Sequence, residues 1–232
     1  MTRLIMQKCF CIALLSTLLM GAQLPGFAQG KAVSSADTAL EAVQNYKQAL
    51  DLYNKDKNYT GALALLDKAI ALNPQYGKAY WKRAWCHIKL KDDMAAIKDL
   101  NKTISLDATN PDVYYDRGEC FFNLDQFDQA VNDFNLAIKF DPKFADAFYY
   151  RGRAEQNLGQ NDKAMADFNQ AIMMNPKDGD CFWYRAELYE KMGQKTQSIA
   201  DWDKAAQIYT EKGDAKWADK AKARAATLRS GG

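Results

Sequence analysis

Charged side chains of opposite sign recur along this chain at a fixed spacing. Four arginines recur with a 34-residue period, and an aspartate follows each of them sixteen positions later. A guanidinium and a carboxylate form charge-assisted hydrogen bonds, so the two columns predict four ion pairs. The alternative is that both columns are independent and exposed to solvent. The arginines are Arg83, Arg117, Arg151 and Arg185, and the aspartates are Asp99, Asp133, Asp167 and Asp201.

The first segment of the chain indicates which partners belong together. One period before Arg83 and Asp99 the chain has Ala49 and Leu65, so both members are missing at once. If each arginine paired with the aspartate of the preceding segment, Arg83 would face Leu65 and Asp201 would be left over. We therefore predict pairing within each segment. Removing one partner of such a partly buried pair would cost about 3 to 5 kcal/mol, because the other charge is stranded.

No catalytic site is indicated by the residues that usually carry catalysis. His87 is the only histidine, so no nucleophile and base pair of the usual kind can be assembled. Its position in the 34-residue pattern is aromatic in other segments, which favours a packed ring over a base or a ligand; the residues there are Tyr53, Phe121 and Tyr189. We expect no enzyme and no cofactor.

Three cysteines follow the N-terminal region, and they lack the close spacing of a zinc site, so no metal is expected. They are Cys86, Cys120 and Cys181. Cys86 and Cys120 are one period apart and should occupy equivalent points on neighbouring helices. The axes of packed helices lie about 8 to 10 Å apart, beyond the Cα separation of about 7 Å that a disulfide tolerates. We predict no intramolecular disulfide.

The elements that position these residues are two helices per period. Small or apolar residues recur at steps of three and four, as in an amphipathic helix, and short polar turns separate the runs. One such hairpin cannot bury its apolar face alone and must stack on copies of itself. The columns include a leading aromatic (Tyr46, Tyr80, Tyr114, Phe148, Phe182) and a later small residue (Ala62, Ala96, Ala130, Ala164, Ser198).

This pattern closely resembles the tetratricopeptide repeat family. The third segment fits best, with Tyr114, Gly118, Phe121, Ala130, Phe134, Ala137 and Pro142. The resemblance implies an all-α, right-handed α-solenoid of about five helix-turn-helix repeats at 43–76, 77–110, 111–144, 145–178 and 179–212. Residues 213–232 are predicted to form a C-terminal capping helix and tail. Ala108 and Glu155 depart from the family pattern without explanation.

In this family the first helices of successive units line a concave groove that binds peptides or proteins, and the matching positions here predict such a groove. It should be aromatic near Trp81 and Trp85 and more polar towards Glu187. An aromatic cluster suits the anchors of a binding hot spot, although these rings could instead only cover the next helix. The expected groove residues are Lys47, Lys78, Trp81, Trp85, Ile88, Asp112, Tyr115, Glu119, Phe122, Asp146, Tyr149, Arg153, Trp183 and Glu187.

One known subtype of the family is a clamp that holds acidic C-terminal tails with basic and asparagine side chains on the first three leading helices. Lys47 fits that pattern, but Asp51 and Lys82 stand where asparagine is needed, and Asp112 and Asp116 replace the basic pair. The clamp is absent, so we expect a protein or peptide partner with apolar or basic side chains.

The N-terminus has the pattern of a secretory signal. Arg3 and Lys8 precede an uncharged run from Cys9 to Met20, and small residues follow near Ala28. We predict a signal peptide at 1–28, a flexible leader at 29–37, and a protein that is periplasmic or secreted after cleavage. The run is well short of the roughly 20 residues that span a bilayer, which disfavours a membrane anchor.

The predicted mature chain is neutral overall. Without Arg3 and Lys8 it keeps 29 basic residues against 29 acidic ones. A neutral chain lacks the field that makes nucleic acid a default partner, so none is expected. The basic face of the capping helix could touch anionic lipid, but peripheral membrane association is not predicted.

The favoured function is a non-catalytic scaffold or adaptor that binds a protein or peptide segment in the cell envelope. A glycan-binding module is one alternative, because the aromatic faces of the groove can stack on sugar rings. A self-assembling structural subunit that uses its end faces is the other.

Overall fold

The computed structural model describes residues 34–231. Over this range the chain forms eleven α-helices and no strand, which confirms the predicted all-α solenoid class. The predicted signal peptide and most of the predicted leader lie outside the described residues. No described helix combines the length and the apolar character needed to cross a membrane. The helices are α1 (Ser35–Asn54), α2 (Tyr59–Leu72), α3 (Gly77–Lys89), α4 (Asp93–Leu106), α5 (Pro111–Asn123), α6 (Phe127–Phe140), α7 (Ala145–Asn157), α8 (Asn161–Met174), α9 (Gly179–Lys191), α10 (Lys195–Glu211) and α11 (Ala215–Ser230).

The helix boundaries follow the period of the sequence. The first helices α3, α5, α7 and α9 begin at the same point of successive periods, and so do the second helices α4, α6, α8 and α10. Each first helix packs on its own second helix, and each second helix packs on the first helix of the next unit. The described part of the chain is therefore a linear array in which a unit contacts mainly its neighbours.

Helix α1 begins earlier than the sequence analysis predicts. It starts at Ser35, so the expected flexible leader is wrong over its last three residues. Thr38 lies inside this helix and donates its hydroxyl to the Ser35 carbonyl oxygen at 2.9 Å. The physical reason is propensity: Ala36, Ala39 and Leu40 are strong helix formers, and although they are exposed they extend α1 beyond its packed part towards the N-terminus.

The core of each unit is a bulky side chain that fills a space left by a small one. Phe134 is fully buried, and a Cβ placed on Gly118 would lie 2.7 Å from its ring. Gly152 faces Phe168 in the same way, with a Cβ distance of 3.1 Å. Since interiors are close-packed, the glycines admit the larger rings. The buried bulky column is Leu66, Leu100, Phe134, Phe168 and Trp202.

The turn inside each unit contains one residue in the left-handed conformation, again at the 34-residue period. Its φ is 53° at Lys57, 65° at Lys91, 57° at Asp125, 74° at Gly159 and 71° at Gly193. Glycine adopts this conformation without a Cβ penalty, whereas the other three residues are strained there. The turns at Gly159 and Gly193 therefore carry less backbone strain than the other three.

Helix α11 closes the end of the array by packing on α10. Its buried face is made of alanines, namely Ala218, Ala221 and Ala225. Trp217 of the same helix is 39% exposed. Its ring contacts Trp183 of α9 edge to face, with the ring centroids 5.2 Å apart. The small alanines let α11 approach α10 closely, and the larger Trp217 indole lies at the edge of this contact.

Candidate binding groove

The arginine and aspartate columns meet as four ion pairs, one in each of the last four units. Each aspartate lies on the second helix and is almost completely buried. In the third unit Arg117 donates from Nε and Nη2 to the two carboxylate oxygens of Asp133, at 2.7 and 2.6 Å. The equivalent pairs are Arg83 with Asp99, Arg151 with Asp167, and Arg185 with Asp201. This is the pairing within a unit that the sequence predicts.

A third hydrogen bond from each arginine, which the sequence analysis missed, reaches back to the preceding unit. The remaining nitrogen, Nη1, donates to an exposed side chain at 2.6 Å. These acceptors recur with the same period as the arginines, and that spacing was the available signal. They are Asp67, Asn101, Asn135 and Asn169. We call the four arginines, their aspartates and these acceptors the guanidinium ladder, and it ties each unit to the one before.

The other side of the first helices carries the predicted groove. Aromatic rings touch between successive first helices except between α3 and α5, where Asp116 of α5 accepts hydrogen bonds from Trp81 and Trp85 of α3 instead. We call the surface that these residues line the groove face. Tyr53 contacts Trp85 with ring centroids 6.3 Å apart, and Tyr149 contacts Tyr184 at 5.7 Å. Further contacts join Tyr115 to Tyr150 and Trp183 to Trp217.

At the N-terminal end of the groove face, Asp116 organises two tryptophans. The indole N–H groups of Trp81 and Trp85 both donate to its Oδ2 atom at 2.6 Å. Burial raises the pKa of Asp116 to about 6, although the two donors act in the opposite direction. The polar edges of both indoles are thus occupied, and their apolar faces are what they offer to a ligand.

A cavity of about 170 Å³ opens beside this cluster. It is lined by Tyr53, Trp85, Ile88, Lys89, Asp116 and Glu119. Lys82 covers part of the wall, because its Nζ lies 3.8 Å from the centre of the Trp85 ring and 4.9 Å from that of Tyr53. The aromatic wall therefore already holds one ammonium group by a cation–π contact. Burial raises the pKa of Glu119 and lowers that of Lys82.

In the middle of the groove face Arg153 lies among aromatic rings. Its guanidinium carbon is 4.4 Å from the centre of the Tyr184 ring and 4.7 Å from that of Phe122. Tyr149 and Tyr150 lie at 5.5 Å each. A cavity of about 300 Å³ adjoins this cluster and is also lined by Trp183 and Trp217.

At the C-terminal end α11 supplies basic partners for the groove face. Glu190 accepts from the Trp202 indole at 2.7 Å and from Arg224 Nε at 3.0 Å. Glu187 accepts from the Trp183 indole at 2.9 Å. A cavity of about 600 Å³ lies between these residues and Lys220. The polar end of the groove is thus a set of internal hydrogen bonds.

The structure divides the predicted groove residues into four groups. Six of them line the cavities described above, and Phe122 lies against Arg153 beside them; the six are Trp85, Ile88, Glu119, Arg153, Trp183 and Glu187. Tyr115 and Tyr149 are mainly packed between units: Tyr149 is 8% exposed, and Tyr115 contacts Phe134, Phe144 and Tyr150. Three more are exposed side chains outside these cavities: Lys47, Asp112 and Asp146. Lys78 lines a separate cavity of about 420 Å³ with Trp81.

The prediction missed one column of the groove face. Tyr150 and Tyr184 supply two of the rings around Arg153, and Lys82 and Asp116 occupy the same position in earlier units. The signal was their 34-residue spacing. It was overlooked because the residue type changes from charged to aromatic along the column.

Within residues 34–231 no three His, Cys, Asp or Glu side chains are placed to hold a metal ion. Cys86, Cys120 and Cys181 are buried free thiols. His87 is only partly buried, with its ring nitrogens 3.9 Å from carboxylate oxygens of Asp92 and Asp99. It lies at the edge of the ladder and not, as predicted, in the core.

The fold and the groove face define a helical-repeat protein with an open binding surface. Models of the tetratricopeptide repeat match residues 46–113, 111–144 and 145–178, which together make up more than half of the chain. The protein therefore belongs to the tetratricopeptide repeat family. The hairpin of α9 and α10 beyond these matches has the same architecture.

Several solved structures share this fold. A crystal structure of MamA superposes with a TM-score of 0.66 and 23% identity, covering 70% of this chain and 95% of that one. YrrB, described as a tetratricopeptide protein with an unusual peptide-binding site, gives 0.65 and 23%, with 78% and 91% covered. TTC0263 of Thermus thermophilus gives 0.59 and 23%, with 81% and 98% covered. At this identity the likeness shows the fold alone. No curated protein matches the chain.

Proposed function

We propose that this protein is a non-catalytic scaffold that binds a protein or peptide segment along the groove face. The observation that carries the proposal is the aromatic surface that the first helices and α11 build from Tyr53 to Trp217, with Asp116 bridging the one gap between α3 and α5. Aromatic side chains beside open cavities are the usual anchors of binding hot spots. The description of YrrB as a protein with a peptide-binding site supports the same use of this fold.

The N-terminal part of the groove face favours a ligand with apolar and basic side chains. The cavity beside Trp85 has an apolar wall at Ile88 and carboxylates at Asp116 and Glu119. The aromatic wall there holds Lys82 through its rings, so a lysine or arginine of the ligand would meet a similar environment. Charge complementarity of this kind contributes to specificity and register.

We also propose that the scaffold acts outside the cytoplasm, in the periplasm or after secretion. This proposal depends on the signal-like pattern of residues 1–28. The mass of the protein purified from the envelope fraction tests it directly. A mature chain that begins near Gln29 supports export, and an intact N-terminus on a cytoplasmic protein contradicts it.

Site-specific photo-crosslinking tests the scaffold function. A photoreactive residue replaces Ile88 or Glu187 on the groove face, or the exposed Met94 or Met173 on second helices as matched controls. We expect the same partner to be captured from both groove positions and from neither control. The purified partner should then bind the full chain with saturation. Capture that is equal at all four positions would contradict a groove function.

Glycans and self-assembly remain as outcomes of the same experiments. Quenching of tryptophan fluorescence by oligosaccharides but not by peptides would select a glycan-binding module. A large oligomer that is lost when residues from Asp214 onward are deleted would select a self-assembling subunit.

A further inference from the structure

The hydrogen-bond donors of Arg153 distinguish this residue from the other arginines of the first helices. A guanidinium has five N–H donors and no acceptor. The Nε atom of Arg153 is buried and has no hydrogen-bond partner. Its guanidinium lies over the rings of Phe122, Tyr149, Tyr150 and Tyr184. The rings stabilise the positive charge, but they give the buried Nε–H group no oxygen acceptor.

Buried donors without partners are rare in folded proteins because desolvation is left uncompensated. The acidic side chains near Arg153 do not supply the missing bonds. Glu119 is close enough for Arg153 to lower its pKa against the larger effect of burial, yet the two side chains form no hydrogen bond or ion pair. Asp180, across the adjoining cavity, already accepts the hydroxyl of Tyr209.

We propose that Arg153 is an anchor for a carboxylate of the ligand, with an apolar group beside it in the adjoining cavity of about 300 Å³. The inference rests on the proposed binding function of the groove. A carboxylate offers two oxygens to a guanidinium in a parallel, bidentate geometry. A neutral amide cannot replace the carboxylate in this geometry, and an ammonium cannot replace the guanidinium. The surrounding rings limit the access of water and so strengthen the pair.

This carboxylate site is distinct from the clamp that the sequence lacks. It lies on α7 of the fourth unit, and it uses one arginine enclosed by four rings. The carboxylate could be the C-terminus of a chain or an Asp or Glu side chain. Both sources present the same chemistry to Arg153.

Nuclear magnetic resonance of the Arg153 Nε–H group in the full chain tests the site without a known ligand. The probes are 3-phenylpropionate and its neutral amide, which differ only in the carboxylate. The Arg153→Lys variant, which lacks this group, assigns the resonance. We expect a saturable downfield shift with the acid and none with the amide. The Nε–H resonance of Arg151 serves as an internal control, because its acceptor is already in place. No shift, or an equal shift with both probes, overturns the proposal.

Labelled hexapeptide mixtures separate the two sources and the two proposals. One mixture has amidated ends and no Asp or Glu, a second has free C-termini, and a third has amidated ends and one Glu. We expect at least a tenfold tighter binding of the second or the third mixture, lost in Arg153→Gln, and the tighter one identifies the source. Equal binding of all three overturns the carboxylate site and leaves the scaffold intact. Binding of none, with a saturable shift by 3-phenylpropionate, overturns the peptide scaffold and keeps the carboxylate site.

Discussion

Two arginines on α7 lie two positions apart, and they have opposite environments. Arg151 donates to Asp167 from Nε and Nη2 at 2.6 Å each, and from Nη1 to Asn135 at 2.6 Å. Arg153 on the groove face has aromatic rings around it and no acceptor for its buried Nε. The same residue type therefore stabilises the fold where its donors are saturated and is available for binding where they are not.

The same contrast separates the two surfaces of the whole array. The guanidinium ladder uses its polar groups between helices, whereas the groove face keeps cavities and partly satisfied charges. Variants of the two surfaces should therefore differ in whether they change stability or binding. Because a repeat array need not unfold in one step, global unfolding free energies require a check for coincident transitions by two probes.

The largest expected effect is on the ladder. Asp133→Ala leaves the Arg117 guanidinium without its buried partner and should lower the free energy of unfolding by about 3 to 5 kcal/mol. Denaturant titration followed by circular dichroism measures it. Asp67→Ala is the matched control, because this acceptor is exposed and its loss should cost less than about 1 kcal/mol.

A double-mutant cycle on Arg117 and Asp133 then tests whether they act as partners. We expect the double variant to be clearly more stable than the sum of the single losses implies. Simple additivity would mean that the two columns are independent.

The core between the two surfaces should be sensitive to a single methyl group. Gly118→Ala places a Cβ 2.7 Å from the Phe134 ring and should cost about 1 to 3 kcal/mol. The second unit already combines Ala84 with Leu100 at these positions. Adding Phe134→Leu should therefore make the alanine tolerable, and a thermal melt of the two variants measures the rescue. Equal loss with and without Phe134→Leu would disprove the fit between glycine and ring.

The fourth unit should respond to pH through Glu155, which takes an aromatic position of the repeat. It is buried near Asp167, and its Oε2 atom has no hydrogen-bond partner. Burial, assisted by Asp167, raises the pKa of Glu155 from 4.5 to about 7 against the opposing charges of Arg151 and Lys163. A raised pKa means that the neutral form fits the fold. The stabilisation is fully present below about pH 4.5 and is lost as the pH rises through 7.

The Glu155→Gln variant stays neutral and should be more stable than the wild type above pH 7 by about 1 to 2 kcal/mol. Unfolding free energies measured between pH 5 and 8 should converge at the acid end. Titration of Asp116 is common to both proteins and cancels in the difference. A difference that does not change with pH would exclude Glu155 as its source.

The smallest expected effect is in the turns. Lys91 has a φ of 65°, where a Cβ is unfavourable, so Lys91→Gly should stabilise the protein by about 0.5 to 1 kcal/mol. The reverse change, Gly159→Lys at the equivalent turn, should destabilise by a similar amount. Melting temperatures of the two variants should therefore shift in opposite directions, and shifts of the same sign would contradict the turn assignment.

The 34-residue period of the sequence predicts much of the fold. It predicts the helical hairpins and the Arg117 pair with Asp133, because a buried charge needs its partner in every unit where it recurs. It does not predict the start of α1 at Ser35, where no preceding unit constrains the helix. The sequence analysis missed Asn101 as an acceptor of Arg117, because asparagine carries no charge that would pair it with an arginine.

The site was less predictable than the fold. The position of Arg153 on the groove could be inferred from the repeat, but its four rings come from three different helices and from columns of mixed residue type. Only the packed structure shows that those rings surround the guanidinium without supplying an acceptor.

The most direct test of the division between the two surfaces is the unfolding free energy of Arg153→Gln measured beside that of Arg151→Gln. Arg151→Gln should lower the free energy of unfolding by about 3 to 5 kcal/mol, because the Asp167 charge is left without its partner. Arg153→Gln should remain within about 1 kcal/mol of the wild type, since only cation–π contacts are removed. An equal, large loss in both variants would contradict the account, because Arg153 would then belong to the fold as Arg151 does.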